Sequence, residues 1–205
     1  MNITFDEENH IYKADNKFIP SVTMILKANG LMDGLKFVDS DVLQRACEFG
    51  THVHSTTELY DRGCLNEKTL DPALIPYLDG WKAFLKDTGF EVLALEEQVI
   101  SMKHWYAGRF DKLGIMPKYK GRTLVEIKTG ASYSHASALQ TGAYEYAYNE
   151  SAPLKEHIRN RFVVHLGEGT YKIYPCADRN DVYTFFGCLN VYNFKLKNNL
   201  IKQRG

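Results

Sequence analysis

The alternation of apolar and polar positions divides the chain into helices and strands of ordinary length. Apolar residues at helical spacing predict a set of helices, over residues 40–63, 71–89, 134–150 and 178–200. Strand-like runs predict a sheet, over residues 90–101, 104–116, 123–130 and a hairpin at 159–176. This order predicts an α/β fold in which helices flank a central mixed β-sheet.

We expect a single domain. The 205 residues suffice for a sizeable core, and the chain has neither a long Pro, Gly or Ser linker nor an internal repeat. Three parts of this domain (1–205) are expected. Two short strands around a polar turn, with a short helix, occupy residues 1–30, a motif-bearing core follows over 40–150, and closing strands and a helix occupy 158–205.

Composition limits the function classes. The chain is 44% hydrophobic and 24% charged with a formal net charge of zero, so nucleic-acid binding would require a local basic patch. The four cysteines lack metal-ligand spacing, which is typical of free thiols in a reducing compartment. No apolar run approaches the roughly 18 residues that span a bilayer, and the acidic N-terminus does not resemble a signal peptide. We therefore expect a soluble, cytoplasmic protein.

The stretch LVEIKTG places an acid and a base two residues apart in an apolar strand. Alternate side chains of a strand share a face, so Glu126 and Lys128 should point together away from the core. A tight turn would bring Asp111, on the preceding strand, beside Glu126. Two carboxylates about 4 Å apart repel by roughly 4 kcal/mol at an effective dielectric of about 20, and a divalent cation removes this cost. An ordinary surface Glu–Lys pair is the alternative.

Two predicted helices carry polar residues at a spacing of four, which places them on one helix face. Gly50, His54 and Glu58 share such a face, and His54 is either a metal ligand or a hydrogen-bonded core histidine. Gln140 and Tyr144 share another. They form either a polar pair facing a phosphate-binding edge or part of a packed aromatic helix.

Further candidates lie on the strands around Asp111. Glu96 and Glu97 are adjacent, so only one of them can face the site, and we expect it to be Glu97 as a third carboxylate. A group of basic residues is expected either to contact phosphates or to form a solvated turn: Arg109, Lys112, Lys118, Lys120 and Arg122.

The chain resembles the RecB-like branch of the PD-(D/E)XK nuclease superfamily through an ordered set of motifs. They are Gly50-x-x-x-His54, Glu97, Gly-Arg-Phe-Asp111, Glu126-Ile-Lys128 and Gln140-x-x-x-Tyr144, and the stretch from His10 also resembles phage-type members. The resemblance implies a restriction-endonuclease-like core. It also implies hydrolysis of DNA phosphodiester bonds with Mg²⁺ or Mn²⁺, by an exonuclease of phage-type recombination or DNA repair.

The resemblance also implies roles for individual residues. Asp111, Glu126 and Lys128 would be catalytic, and the metal ligands would be His54, Asp111, Glu126, the Ile127 carbonyl and Glu97. Gln140 and Tyr144 would support Lys128 or contact the DNA backbone. Together with Arg109 from the basic group, they are the expected substrate-binding residues. The cysteine spacing argues against the iron–sulfur cluster that some such nucleases carry.

DNA is the expected partner. The resemblance adds a single-strand annealing protein as a second partner, and it leaves a homo-oligomer open. A non-catalytic relative that binds DNA or another protein is the main alternative function, and an enzyme acting on another phosphate substrate is a further one. No P-loop or other hydrolase motif supports a different class.

Overall fold

The computed structural model describes residues 3–6, 11–32, 40–129, 133–167 and 169–202. Two positions that the sequence motifs include, His10 and Gly130, lie outside the described residues, as does Glu168 in the predicted turn of the closing hairpin.

A small antiparallel sheet forms the N-terminal part, with strands β1 (Ile3–Asp6), β2 (Ile11–Ala14) and β3 (Lys17–Ile19). The sequence predicted β2 and β3. Asp15 and Asn16 join them with φ angles of 46° and 64°, which these two residue types tolerate better than most. The pattern did not predict β1, which is only four residues long and pairs with β2.

The central sheet has five strands in the order β4-β5-β6-β7-β8. Their bounds are β4 Glu91–Ser101, β5 Tyr106–Ile115, β6 Arg122–Lys128, β7 Ile158–Gly167 and β8 Thr170–Pro175. The neighbours β6 and β7 are parallel, and the other adjacent pairs are antiparallel. The predicted α/β architecture with a mixed sheet is therefore confirmed.

Helices cover both faces of this sheet. Their bounds are α1 Val22–Ala28, α2 Ser40–Asp61, α3 Ile75–Thr88, α4 His135–Ser151 and α5 Asp181–Lys197. Buried residues of α1, α4 and α5 form one apolar cluster with the sheet, and residues of α2 and α3 form another. None of the helices in the described part of the chain combines the length and apolar character needed to cross a bilayer.

Helix α3 begins at Ile75, four residues later than the sequence predicted. The Asp71 carboxylate accepts a hydrogen bond from the Ala73 N–H at 2.9 Å, so this stretch forms a turn rather than the first helical turn. Pro76 then lies in the first turn of α3, where its missing N–H costs nothing.

Strand β6 lies between the two apolar clusters. Val125 and Ile127 pack in the cluster of α2 and α3, whereas Leu124 packs in the cluster of α1, α4 and α5. The side chain of Glu126 therefore starts from a strand that is covered on both faces. This position makes its charge expensive unless a partner compensates for it.

Candidate active site

A cleft of about 550 Å³ opens between α2 and the central sheet, with the N-terminal sheet and the start of α1 also contributing to its walls. Most of the residues that the sequence singled out line this cleft: His54, Arg109, Asp111, Glu126, Lys128, Gln140 and Tyr144. Two further carboxylates, Glu58 and Glu96, line it as well.

Asp111 lies where strands β5 and β6 stop pairing. The strand pairing ends where Lys112 of β5 lies opposite Val125 of β6. At the preceding residue of β5, the Asp111 carboxylate replaces the main-chain acceptor and receives a hydrogen bond from the Ile127 N–H at 2.6 Å. Asp111 is 7% exposed. Burial opposes its charged form, but His54 and Lys128 outweigh that effect and lower its pKa.

Glu126 and Lys128 form a close ion pair, with Nζ of Lys128 2.8 Å from Oε1 of Glu126. The other carboxylate oxygen, Oε2, is buried and has no hydrogen-bond partner among the described residues. Burial and the nearby Asp111 charge raise the pKa of Glu126 to about 7, against the opposing effect of Lys128. For Lys128, burial disfavours the ammonium, but the carboxylates of Glu126 and Asp111 prevail and raise its pKa.

This geometry explains why an acid and a base alternate in an apolar strand. Glu126 is only 2% exposed, so the pair is not the surface Glu–Lys pair of the alternative interpretation. The main chain of Ile127 reaches the site through its N–H group, and its side chain is buried in the core. Its carbonyl oxygen as a metal ligand stays a prediction.

His54 projects from α2 toward Asp111. Its Nδ1 lies 3.3 Å from Oδ1 of Asp111. Burial opposes protonation of the imidazole, but the Asp111 charge and hydrogen bond prevail and raise the pKa of His54. Gly50, one turn earlier, faces Thr129, whose Oγ1 would be 3.4 Å from an added Cβ, so α2 packs close to the end of β6 at this point.

Of the two adjacent glutamates, Glu96 is the one that faces the cleft. The prediction that Glu97 would face it was wrong. Leu95 pairs with Lys112 and Glu97 with Phe110, which places Glu96 opposite Asp111. Ligand atoms of His54, Glu96 and Asp111 all lie within 4.8 Å of one another. Glu97 instead lines a separate groove beside Tyr148 and Glu156.

The local backbone explains the error. Glu96 has a φ angle of 51°, in the left-handed region, so simple alternation along β4 does not apply at this residue. A register shift between Val92 and Ala94 also precedes it. Burial and Asp111 raise the pKa of Glu96 to about 7, although Arg109 opposes this shift.

Gln140 and Tyr144 form a buried hydrogen-bonded pair on α4, with Nε2 of Gln140 donating to the Tyr144 hydroxyl at 2.8 Å. Oε1 of Gln140 has no partner among the described residues. Burial and the Glu126 charge raise the pKa of Tyr144. An added Cβ at Gly108 would lie 2.3 Å from Cε1 of Tyr144, so the tyrosine ring requires a glycine on β5.

The basic residues named from the sequence fall into different environments. Arg109 lines the cleft and pairs with Glu96, with Nε and Oε2 2.9 Å apart. Neither alternative holds for Lys112, which was expected to contact phosphate or to lie in a solvated turn, because it is 1% exposed and its Nζ lies 2.6 Å from Asp61. Lys118, Lys120 and Arg122 do not contribute to the described lining of the cleft.

Two features of the site carried little or no signal in the sequence. Glu58 follows His54 by one helical turn and was visible on the same face, but nothing assigned it to the site. The contact of Gly108 with Tyr144 joins residues far apart in the chain, and no local pattern could reveal it.

Comparison with known proteins adds no identification. No family model matches the chain, and no curated protein matches it at a significant level.

Proposed function

We propose that this protein is a nuclease that hydrolyses DNA phosphodiester bonds with Mg²⁺ or Mn²⁺, as an exonuclease of phage-type recombination or DNA repair. The α/β fold with its mixed sheet would then be a restriction-endonuclease-like core. One observation carries the proposal: besides Glu58, which pairs with Arg62, three carboxylates line the cleft beside His54, namely Glu96, Asp111 and Glu126. Among the described residues of the lining, Arg109 and Lys128 are the two basic side chains that offset them. Such an arrangement is costly unless a cation offsets the repulsion.

The donor set fits a hard divalent cation. The ligand atoms of His54, Glu96 and Asp111 are close enough together for one ion. Oε2 of Glu126 supplies a buried acceptor that has no hydrogen-bond partner within the described part of the chain. Carboxylate oxygens favour Mg²⁺ and Mn²⁺, and an imidazole is compatible with the second of these. A bound ion would stabilise the negative charge that develops on the phosphoryl oxygens.

The chain's own residues would perform the remaining steps. Lys128, held by Glu126 and partly open to the cleft, would donate a hydrogen bond to an oxygen of the scissile phosphate. Asp111, fixed by His54 and by the Ile127 N–H, would hold its orientation while substrate binds. Gln140 and Tyr144 would support the buried side of Glu126.

A degradation assay tests the proposal. Linear, nicked, circular and single-stranded DNA are incubated with the protein in Mg²⁺, Mn²⁺ or EDTA, and products are resolved on denaturing gels. We expect degradation of linear DNA with either metal and none in EDTA. Lys128→Ala and Glu126→Gln should lose at least about 100-fold in rate, as expected when a charge-stabilising group is removed.

Glu97→Gln is the matched control, because Glu97 lies outside the cleft and this variant should keep the wild-type rate. Equal degradation by Lys128→Ala and wild type would point to a contaminating nuclease and would contradict the proposal. Binding of DNA without cleavage under every condition would instead favour the non-catalytic alternative.

A further inference from the structure

Helix α5 has apolar side chains on the face that points away from the protein as well as on the face that packs on α1 and α4. The inward face belongs to the apolar cluster of those helices. The outward face is exposed, and we call it the α5 stripe. Its members are Tyr183, Gly187, Asn190, Val191 and Phe194. They lie within about 100° of one another around the helix axis, because an α-helix has 3.6 residues per turn.

The α5 stripe has the composition of an interface. Tyr183 is 69% exposed, Phe194 61% and Val191 44%. No charged residue interrupts α5 between Asp181 and Lys195. The outward face of a surface helix normally carries charged and polar residues, whereas the buried centre of an interface is depleted of charge and enriched in aromatic residues. We therefore expect another protein surface to cover the stripe.

The spacing within the stripe indicates that this surface is a second copy of the same chain. An isologous interface requires a surface that complements itself after a two-fold rotation. Tyr183 and Phe194 lie equally far from the midpoint of the stripe, and so do Gly187 and Asn190. Two α5 helices packed antiparallel about this midpoint would place Tyr183 opposite the Phe194 of the second copy. They would also place Asn190 opposite the second Gly187.

Gly187 fits this arrangement. An added Cβ at Gly187 would meet no atom of the described residues within 4 Å, so no contact in that part of the chain requires a glycine here. Glycine also weakens a helix interior relative to alanine. At the centre of the stripe, however, a missing side chain lets two helices approach closely and makes room for the amide of Asn190.

The charges at the two ends of α5 favour the antiparallel orientation. The N-terminal end, with Asp178, Arg179 and Asp181, has one net negative charge, and the C-terminal end, with Lys195 and Lys197, has two positive charges. An antiparallel pair brings opposite net charges together at both ends and opposes the two helix dipoles. A parallel pair would instead bring the lysines of both copies together.

We propose that this protein forms a two-fold symmetric dimer in which α5 packs antiparallel on the α5 of a second copy. The four aromatic side chains would contribute roughly 400–650 Å² of buried surface, so the interface would be small. Small interfaces are weak, and we expect a dissociation constant on the order of micromolar. No residue of the stripe belongs to the described lining of the cleft, and the inference does not depend on the proposed function.

Sedimentation equilibrium of the full chain measures the association, from about 1 µM to about 200 µM to bracket the expected constant. We expect a monomer–dimer equilibrium. Phe194→Glu should raise the dissociation constant at least about 30-fold, because it removes an aromatic anchor and places a charge in the interface. Leu154→Glu is the matched control, since Leu154 is 71% exposed but lies outside the stripe, and this variant should associate like wild type.

A mixture of two variants tests the orientation. Tyr183→Lys should weaken association as Phe194→Glu does, because each variant loses both aromatic pairs. In an antiparallel pair of the two different variants, the introduced lysine faces the introduced glutamate and one aromatic pair is restored. An equimolar mixture should therefore associate at least about tenfold more tightly than either variant alone.

The outcomes are decisive in both directions. A wild-type chain that stays monomeric up to about 200 µM would overturn the dimer and leave the stripe to a different protein. A trimer or larger assembly would contradict the two-fold symmetry. Equal association of Phe194→Glu and Leu154→Glu would place the contact elsewhere, and a mixture no tighter than its components would overturn the antiparallel orientation. Circular dichroism verifies folding, and Tyr183→Lys tests the stripe if Phe194→Glu does not fold.

Discussion

Gly108 and Tyr144 lie in direct contact across the interface of β5 and α4, and a Cβ atom on Gly108 would come within 2.3 Å of the tyrosine ring. The ring in turn fixes Gln140, which donates to its hydroxyl. A glycine on the sheet thus determines where two polar groups of α4 lie beside Glu126.

Gly108→Ala should therefore displace Tyr144 and disturb the site. Overpacking of this kind costs about 1–3 kcal/mol of unfolding free energy, and DNA hydrolysis should fall further than the stability loss explains. Urea denaturation and the degradation assay, both at a temperature where the variant is folded, measure the two effects.

The control is Gly187→Ala on α5, where an added Cβ would meet no atom of the described residues within 4 Å. Because alanine has a higher helix propensity than glycine, this variant should gain about 0.5–1 kcal/mol and keep full activity. If both alanine variants behaved alike, the packing of Tyr144 on Gly108 would not matter for the site.

Lys112 and Asp61 form a buried ion pair, with side chains 1% and 2% exposed and Nζ 2.6 Å from the carboxylate. The indole N–H of Trp81 donates to the same carboxylate at 2.8 Å. Lys112→Ala would leave Asp61 charged in the core, and we expect a loss of about 3 kcal/mol or more in unfolding free energy.

The exposed pair of Lys82 and Glu67, 2.6 Å apart, provides the comparison. Lys82→Ala should cost less than about 1 kcal/mol, because solvent screens the pair. Chemical denaturation of both variants at neutral pH gives the difference. A small effect of Lys112→Ala would contradict the structural role of Lys112 and return it to the candidate DNA contacts.

Because the pKa of Glu126 is raised to about 7, the free energy of unfolding should depend on pH. The folded protein holds this proton more tightly than the unfolded chain, whose glutamate has a pKa near 4.3. The stabilising contribution is therefore complete below about pH 4 and is lost as the pH rises through about 7.

Glu126→Gln isolates this contribution, because glutamine can still accept from Lys128 and does not ionise. In EDTA, the variant should gain stability relative to wild type as the pH is raised from 5 to 8. Mg²⁺ should reverse the trend by stabilising the wild type more at pH 8 than at pH 5. A difference between the two proteins that is independent of pH in EDTA would be inconsistent with the raised pKa.

The sequence predicted the elements well because their signals are local. Strands β5 and β6 and helix α4 follow from alternation and helical spacing, and an antiparallel connection then brings Asp111 and Glu126 to the same cleft. Each of these inferences needs only short-range pattern and simple topology.

The errors arose where geometry at one residue decides the outcome. Which of Glu96 and Glu97 faces the cleft depended on the left-handed φ angle of Glu96, and the residue type of Glu96 gives no sign of this angle. The burial of Lys112 depended on Asp61 of α2 and Trp81 of α3. Long-range partners of this kind leave no trace in a local pattern. The sequence therefore predicted where the site lies but not all of the residues that form it.

The imidazole of His54 should give the cation site a preference for Mn²⁺ over Mg²⁺. Nitrogen ligands bind Mn²⁺ more readily than Mg²⁺, which takes oxygen ligands almost exclusively. His54→Ala should thus lower the affinity for Mn²⁺ by about tenfold and change the affinity for Mg²⁺ less. The exposed His52, two residues earlier on α2, provides His52→Ala as the control with unchanged affinities. Titration of free Mn²⁺ by electron paramagnetic resonance, with Mg²⁺ as competitor, measures both constants, and an equal loss for the two metals would show that His54 does not ligate the ion.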